Sequence, residues 1–151
     1  MPWRPNVTVA AVIERDGKFL LVEEQAEGKR VLNQPAGHLE RGESLVEAVV
    51  RETLEETAWH FTPQALLGVY RWRHPHKDQT FLRFAFTGTL QGQAAERPLD
   101  ADIVRTLWLE PEEIRRAHER HRSPMVQRCI DDFLGGRPVA LDCLKEIAPS
   151  P

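Results

Sequence analysis

Residues 37 to 59 read Gly37-His-Leu-Glu-Arg-Gly-Glu43-Ser44-Leu-Val-Glu47-Ala-Val-Val-Arg51-Glu52-Thr-Leu-Glu55-Glu56-Thr-Ala-Trp59, and this stretch decides the fold. Ser44-Leu45-Val46-Glu47 is a capping box: the Ser44 hydroxyl accepts from the Glu47 amide while the Glu47 carboxylate reaches back to the cap. A helix therefore starts at Ser44. Val46, Val49, Val50, Thr53 and Thr57 then fall on one side at 100° per residue, a face suited to packing on a sheet. Glu52, Glu55 and Glu56 occupy an arc of about 100°, because steps of three and four residues return to one face of a helix. Ala48, one turn earlier, is the small residue expected to leave space beside them.

Three carboxylates so placed repel one another by roughly 0.2 to 0.5 kcal/mol per pair. Their place in the second half of the helix adds a dipole penalty of about 0.3 to 1 kcal/mol each. Such a group is either a solvated acidic face or the seat of a cation. The apolar opposite face ties the helix to a core, and Gly37 and Glu43 stand at fixed distances upstream, which favours the cation. A hard divalent ion suits an all-oxygen site, and Mg2+, with Mn2+ as its substitute, suits one that must also meet a phosphate.

Outward from this helix, residues 7–13 and 19–22 are rich in Val, Ile and Leu, and the Asp16-Gly17 pair between them is a hairpin signal that predicts an opening antiparallel pair. Pro35 and Gly37 break residues 31–40 into short extended pieces. Residues 65–72 and 81–90 predict a second hairpin through His74-Pro75-His76-Lys77-Asp78. Residues 103–109 predict a short strand, and Pro111-Glu112-Glu113 starts a helix with its acids in the first turn. A last helix is expected over residues 123–134, capped by Ser123 and ended by Gly135-Gly136. Strands mixed with helices on a chain of 151 residues imply one domain, residues 1–151, of α/β (α+β) sandwich type.

Composition narrows the function by exclusion. A net charge of -3, with 41% hydrophobic and 28% charged residues, gives no long-range attraction to nucleic acid or to an anionic membrane. Met1-Pro-Trp-Arg-Pro lacks a signal-peptide pattern, and no apolar run approaches the roughly 18 residues of a membrane helix. A cytoplasmic protein is the natural expectation. Cys129 and Cys143 have no partners at metal spacing and read as buried free thiols.

The spacing glycine, five residues, glutamate, seven residues, Arg-Glu, two residues, Glu-Glu is carried here by Gly37, Glu43, Arg51, Glu52, Glu55 and Glu56, and it resembles the signature of the Nudix hydrolases. The resemblance implies an α/β/α sandwich with a mixed central sheet and a loop-helix-loop over residues 37 to 59. It implies Mg2+ held by Glu52, Glu55 and Glu56, with the Gly37 carbonyl as a further ligand, and Glu43 and Arg51 as partners that fix the geometry. It also implies hydrolysis of a phosphoanhydride bond in a small-molecule diphosphate. Two positions depart from the pattern. Ala58 stands where the family has a left-handed glycine, at a cost of about 1 to 2 kcal/mol, so an altered helix end is expected. Thr53 stands where the family prefers an aliphatic residue.

Val7-Thr-Val-Ala, Leu21-Val-Glu-Glu, Asn33-Gln-Pro-Ala-Gly-His-Leu-Glu40, Phe81-Leu-Arg-Phe84 and Arg122-Ser-Pro124 are together similar to a subgroup of bacterial phosphatases within that family. This implies thiamine pyrophosphate, its hydroxymethylpyrimidine pyrophosphate precursor and nucleoside di- and triphosphates as substrates, with orthophosphate released. The runner-up is a housecleaning pyrophosphatase that releases a monophosphate. A non-catalytic nucleotide sensor is the rival from another class.

Other residues supply substrate candidates with plain alternatives. Arg71 and Arg73, beside Trp72, are phosphate contacts or an ordinary exposed strand end. Arg83 alternates with Leu82 and Phe84 and points into a cleft or into solvent. Asn33 and Gln34 bond a heteroaromatic ring or are polar residues at a sheet edge. His38 reads as a loop residue. The general base is one of the motif glutamates or Glu96, Asp100 or Asp102. The assembly expected is a monomer or homodimer.

Overall fold

The computed structural model describes residues 2–149, leaving Met1, Ser150 and Pro151 outside. In chain order it has β1 (Asn6–Val12), β2 (Glu14–Arg15), β3 (Lys18–Ala26), β4 (Lys29–Asn33), β5 (Ala36–His38), α1 (Leu45–Thr57), β6 (Trp59–Arg73), β7 (Thr80–Gln93), β8 (Ile103–Leu109), α2 (Pro111–Arg116), α3 (Met125–Gly135) and β9 (Val139–Ala140). The strands form two sheets. One is mixed, in the order β5-β1-β7-β6-β9 with β1 and β7 parallel, and the other is antiparallel, with β3 between β4 and β8 and β2 continuing its edge.

Alternation along β1 and β7 divides the core. Val9, Ala11 and Phe86 join Ala48 and Val49 of α1, while Val12 and Ala85 join Ile114, Cys129 and Ile130 of α2 and α3. Helices thus cover both faces of the strands, and the α/β/α sandwich is what the structure has. No helix among the described residues is long and apolar enough to cross a membrane.

The predicted opening pair is corrected. The turn at Asp16-Gly17 joins only Glu14–Arg15 to Lys18 and Phe19, and the body of β1 pairs instead with β5 and β7 in the other sheet. Residues 9–13 and 19–22 are all buried, so no solvent face fixes them as neighbours. The helix end is corrected too. Ala58 adopts φ 62° and caps α1 through its own N–H to Leu54 O, so the chain keeps the family's left-handed cap and accepts the strain of a Cβ there. Ala48 is fully buried in the core and opens no space. Cys143 is exposed, against expectation, whereas Cys129 is buried. The residue at the N-cap of α3 is Pro124, although the Ser123 hydroxyl still accepts from the Met125 amide at 3.2 Å.

The two sheets are also clasped by a side chain. The Arg15 guanidinium stacks over Trp59 of β6 at 4.9 Å and over Trp108 of β8 at 5.4 Å.

Candidate metal centre and substrate cleft

The loop before α1 is built around Arg51. Its guanidinium meets Glu43 through two bonds of 2.9 and 2.7 Å, donates to His38 O at 3.0 Å, and reaches Glu52 at 2.8 Å and Glu55 at 3.3 Å. Glu43 in turn accepts from the Glu40 amide at 2.7 Å, which closes the turn through Gly42, φ 82°. Bonds with Arg51 hold the Glu43 carboxyl below the usual carboxylate range, and the same contacts, Glu43 first, hold the Arg51 guanidinium above its own. One planar cation thus binds the end of β5, the loop and two of the helix carboxylates.

Gly37 has a steric cause. A Cβ built there would lie 2.0 Å from Glu52 Cδ, inside the carboxylate, so only glycine lets β5 pass this close to α1. Glu52, 9% exposed, has its carboxyl raised by burial against the pull of Arg51. Glu56, 7% exposed, accepts from the Ala36 amide at 2.9 Å; burial pushes its carboxyl up to about 9, with Glu24, Glu52 and Asp100 adding repulsion.

Ligand oxygens of Glu52, Glu55 and Asp100 lie within 4.8 Å of one another. Asp100 arrives because its amide donates to Glu55 O at 3.0 Å and Ala94 N donates to Ala58 O at 2.7 Å, which fastens the β7–β8 loop to the end of α1. Burial and Glu55 raise the Asp100 carboxyl as well. Of Glu96, Asp100 and Asp102, Asp100 is the one in the cluster. Three converging carboxylates, with Glu52 and Asp100 pushed towards protonation by burial, are the donor set a hard divalent cation fits.

A cavity of about 610 Å³ runs from Gly37, Glu52 and Glu56 to Trp72, His74 and Phe81. Trp72 and Phe81 stack at 5.7 Å with 26° between planes. Asn33 and Arg83 line this cleft. Arg83, 3% exposed rather than solvated, donates to Gln34 Oε1 at 2.8 Å and to Asn33 Oδ1 at 2.9 Å. Gln34 is wholly buried behind it, its amide donating to Val126 O at 2.9 Å, and does not reach the cavity. Arg71 is exposed and lines a separate groove with Arg128 and Asp132, so the cleft does not include it. Glu24 and His121 line the cleft and were not picked out from the sequence. Their burial is tertiary, and only the consecutive acids Glu23-Glu24 inside a strand hinted at it.

This combination of sandwich, signature loop and carboxylate cluster is that of the NUDIX domain, whose family model matches residues 2–129: the chain belongs to the Nudix family and is a Nudix hydrolase. Among its relatives, phosphatase NudJ of Escherichia coli (strain K12) is 42% identical over 142 residues, covering 94% of this chain and 92% of that protein. NudJ of Shigella boydii serotype 4 matches to the same extent, 42% over 142 residues. A solved NUDIX hydrolase from Nitrosomonas europaea superposes with a TM-score of 0.93 at 48% identity, covering 95% of this chain and 98% of that one.

Proposed function

We propose that the chain is a magnesium-dependent phosphatase of the cytoplasm, acting as a single unit on thiamine pyrophosphate, hydroxymethylpyrimidine pyrophosphate and nucleoside di- and triphosphates, and releasing orthophosphate. The observation that carries the reading is that Glu52, which clusters with Glu55 and Asp100, also lines with Glu56 one end of a cleft whose other end is aromatic. An anionic chain and a flat organic group are thereby accommodated together, and the similarity to NudJ supports the choice of phosphatase.

Glu52, Glu55 and Glu56 would hold the ion, with the Gly37 carbonyl and Asp100 as further donors. Bound there, Mg2+ would supply partial neutralisation of the phosphates and acidification of water. Arg51, itself fixed by Glu43, keeps Glu52 and Glu55 aligned, and a misplacement of 1 Å at such a group costs about 100-fold in rate. Asp100 would accept the proton as a water oxygen bonds to the terminal phosphorus and the anhydride P–O bond breaks, the rest of the substrate leaving with the bridging oxygen. Arg83 and Asn33 face the remainder of the substrate.

The test is phosphate release from thiamine pyrophosphate and a nucleoside triphosphate panel with magnesium, with product masses, beside Glu55→Gln. Orthophosphate that falls at least about 100-fold in the variant is expected. Pyrophosphate plus a monophosphate would replace this reading with a housecleaning pyrophosphatase. Tight nucleotide binding without turnover would replace it with a sensor.

A further inference from the structure

β3 carries two consecutive acids at a bulge, Glu23 and Glu24, and both side chains are buried. Glu23 is consumed by arginines, with Arg120 at 2.6 Å and Arg105 at 3.4 Å. Glu24, 7% exposed, is used only by half. Its Oε1 accepts from Arg122 Nη1 at 2.9 Å and from Asn33 Nδ2 at 3.4 Å, while Oε2 takes no donor among the described residues and is not sealed from the cavity.

The polarity of this edge is fixed from behind. Arg83 donates to Asn33 Oδ1, so the Asn33 amide group must turn towards Glu24 and fill Oε1. The carboxylate oxygen left over opens on the cavity with its hydrogen-bonding capacity available to a donor that enters there. Across the same cavity stand the stacked rings of Trp72 and Phe81, with His74 tilted on Trp72 at 5.3 Å. Thr8 is paired with both His38 and Arg83, so Arg83 is two strands from the metal end, roughly 10 Å away.

We infer that Glu24 is a specificity-determining residue: with Trp72 and Phe81 as a stacking surface, it selects substrates whose organic end is a flat heteroaromatic ring carrying an exocyclic amino group. This rests on the hydrolase reading above and adds to it the ring chemistry. An amino N–H gives Oε2 its missing donor, with Arg122 beside it to meet the neighbouring ring acceptor. A ring with a carbonyl at that place opposes two acceptors and leaves both unpaired, a mismatch worth about tenfold or more. Stacking on the aromatic surface is indifferent to this difference and adds affinity to both kinds of ring.

Cytidine and uridine triphosphates differ at ring position 4 by amino against carbonyl, and they make the test. The wild-type enzyme should favour the cytidine nucleotide about tenfold in kcat/KM, chiefly through KM. Glu24→Gln should bring the ratio close to one, and because both nucleotides meet the same protein, loss of folded enzyme cancels from it. Trp72→Ala should weaken both about tenfold and leave the ratio standing. Cytidine and uridine monophosphate binding, measured by calorimetry in the presence of a chelator, repeats the comparison without turnover. A wild-type ratio near one, or a cytidine preference that survives in Glu24→Gln, overturns the inference. If neither triphosphate is hydrolysed, the reading of nucleoside triphosphates as substrates fails, and the monophosphate ratio still decides the role of Glu24.

Discussion

Glu56 and Glu23 are both shielded from solvent, 7% and 2% exposed, but Glu56 sits much deeper among protein atoms while Glu23 is covered mainly by arginine side chains, and their carboxyls move in opposite directions. For both, burial is the largest influence and pushes the carboxyl up. At Glu23 the hydrogen bonds and charges of Arg120 and Arg105 outweigh it and hold the group below its usual range. At Glu56 one backbone amide opposes burial while Glu24, Glu52 and Asp100 add to it, and the carboxyl rises to about 9. A buried anion that the fold intends as structure is given its cation by the chain. One that is given only more anions marks where a cation from outside belongs.

The largest effect that tests this contrast is at Glu56 itself. Glu56→Gln keeps an acceptor for the Ala36 amide and should cost about 100-fold or more in phosphate release while leaving the thermal midpoint of the metal-free protein unchanged or higher. A midpoint that drops by several degrees would show that Glu56 is structural after all. Gly37→Ala sharpens the same claim: its Cβ falls inside the Glu52 carboxylate, so kcat/KM should drop about 100-fold with much less change in denaturant midpoint. Glu23→Gln should do the reverse, leaving turnover within about twofold but costing about 2 kcal/mol in urea unfolding.

The acid limb follows with its sign. A folded carboxyl below the unfolded value of about 4.3 contributes stability that is fully present above that value and is lost as pH falls through the folded pKa. Unfolding curves taken from pH 7 down to pH 3 should therefore converge for wild type and Glu23→Gln at the acid end. Parallel curves would remove the charge argument. The smallest effect is at Ala58, whose φ of 62° strains the end of the metal-bearing helix. Ala58→Gly should raise stability by about 1 kcal/mol, less the extra entropy of glycine in the unfolded chain.

What the sequence disclosed was mostly local. The Ser44–Glu47 capping box, the strand over Ile103–Leu109 and the hairpin of β6 and β7 depend on near neighbours and appear as read. β6 nevertheless begins six residues earlier than its apolar run, at Trp59, because bulges carry the ladder past Pro63. The carboxylate end was legible because α1 holds most of it in two turns. The ring end was not, since its residues are scattered over β3, β4, β6, β7 and the segment before α3. Arg83 shows the difficulty: alternation put it opposite the apolar face, but only packing could say that this place is interior and furnished with amides rather than water. The fate of residues 7–13 was equally hidden, for a run buried on both faces names no partner.

The clasp of Arg15 between Trp59 and Trp108 has a spectroscopic consequence. Of the four tryptophans, these two report on whether the sheets are joined, Trp3 is largely in solvent, and Trp72 alone faces the cleft. Emission from the whole protein therefore mixes an unfolding signal with an occupancy signal. Replacing Trp72 by phenylalanine separates the two without any added label.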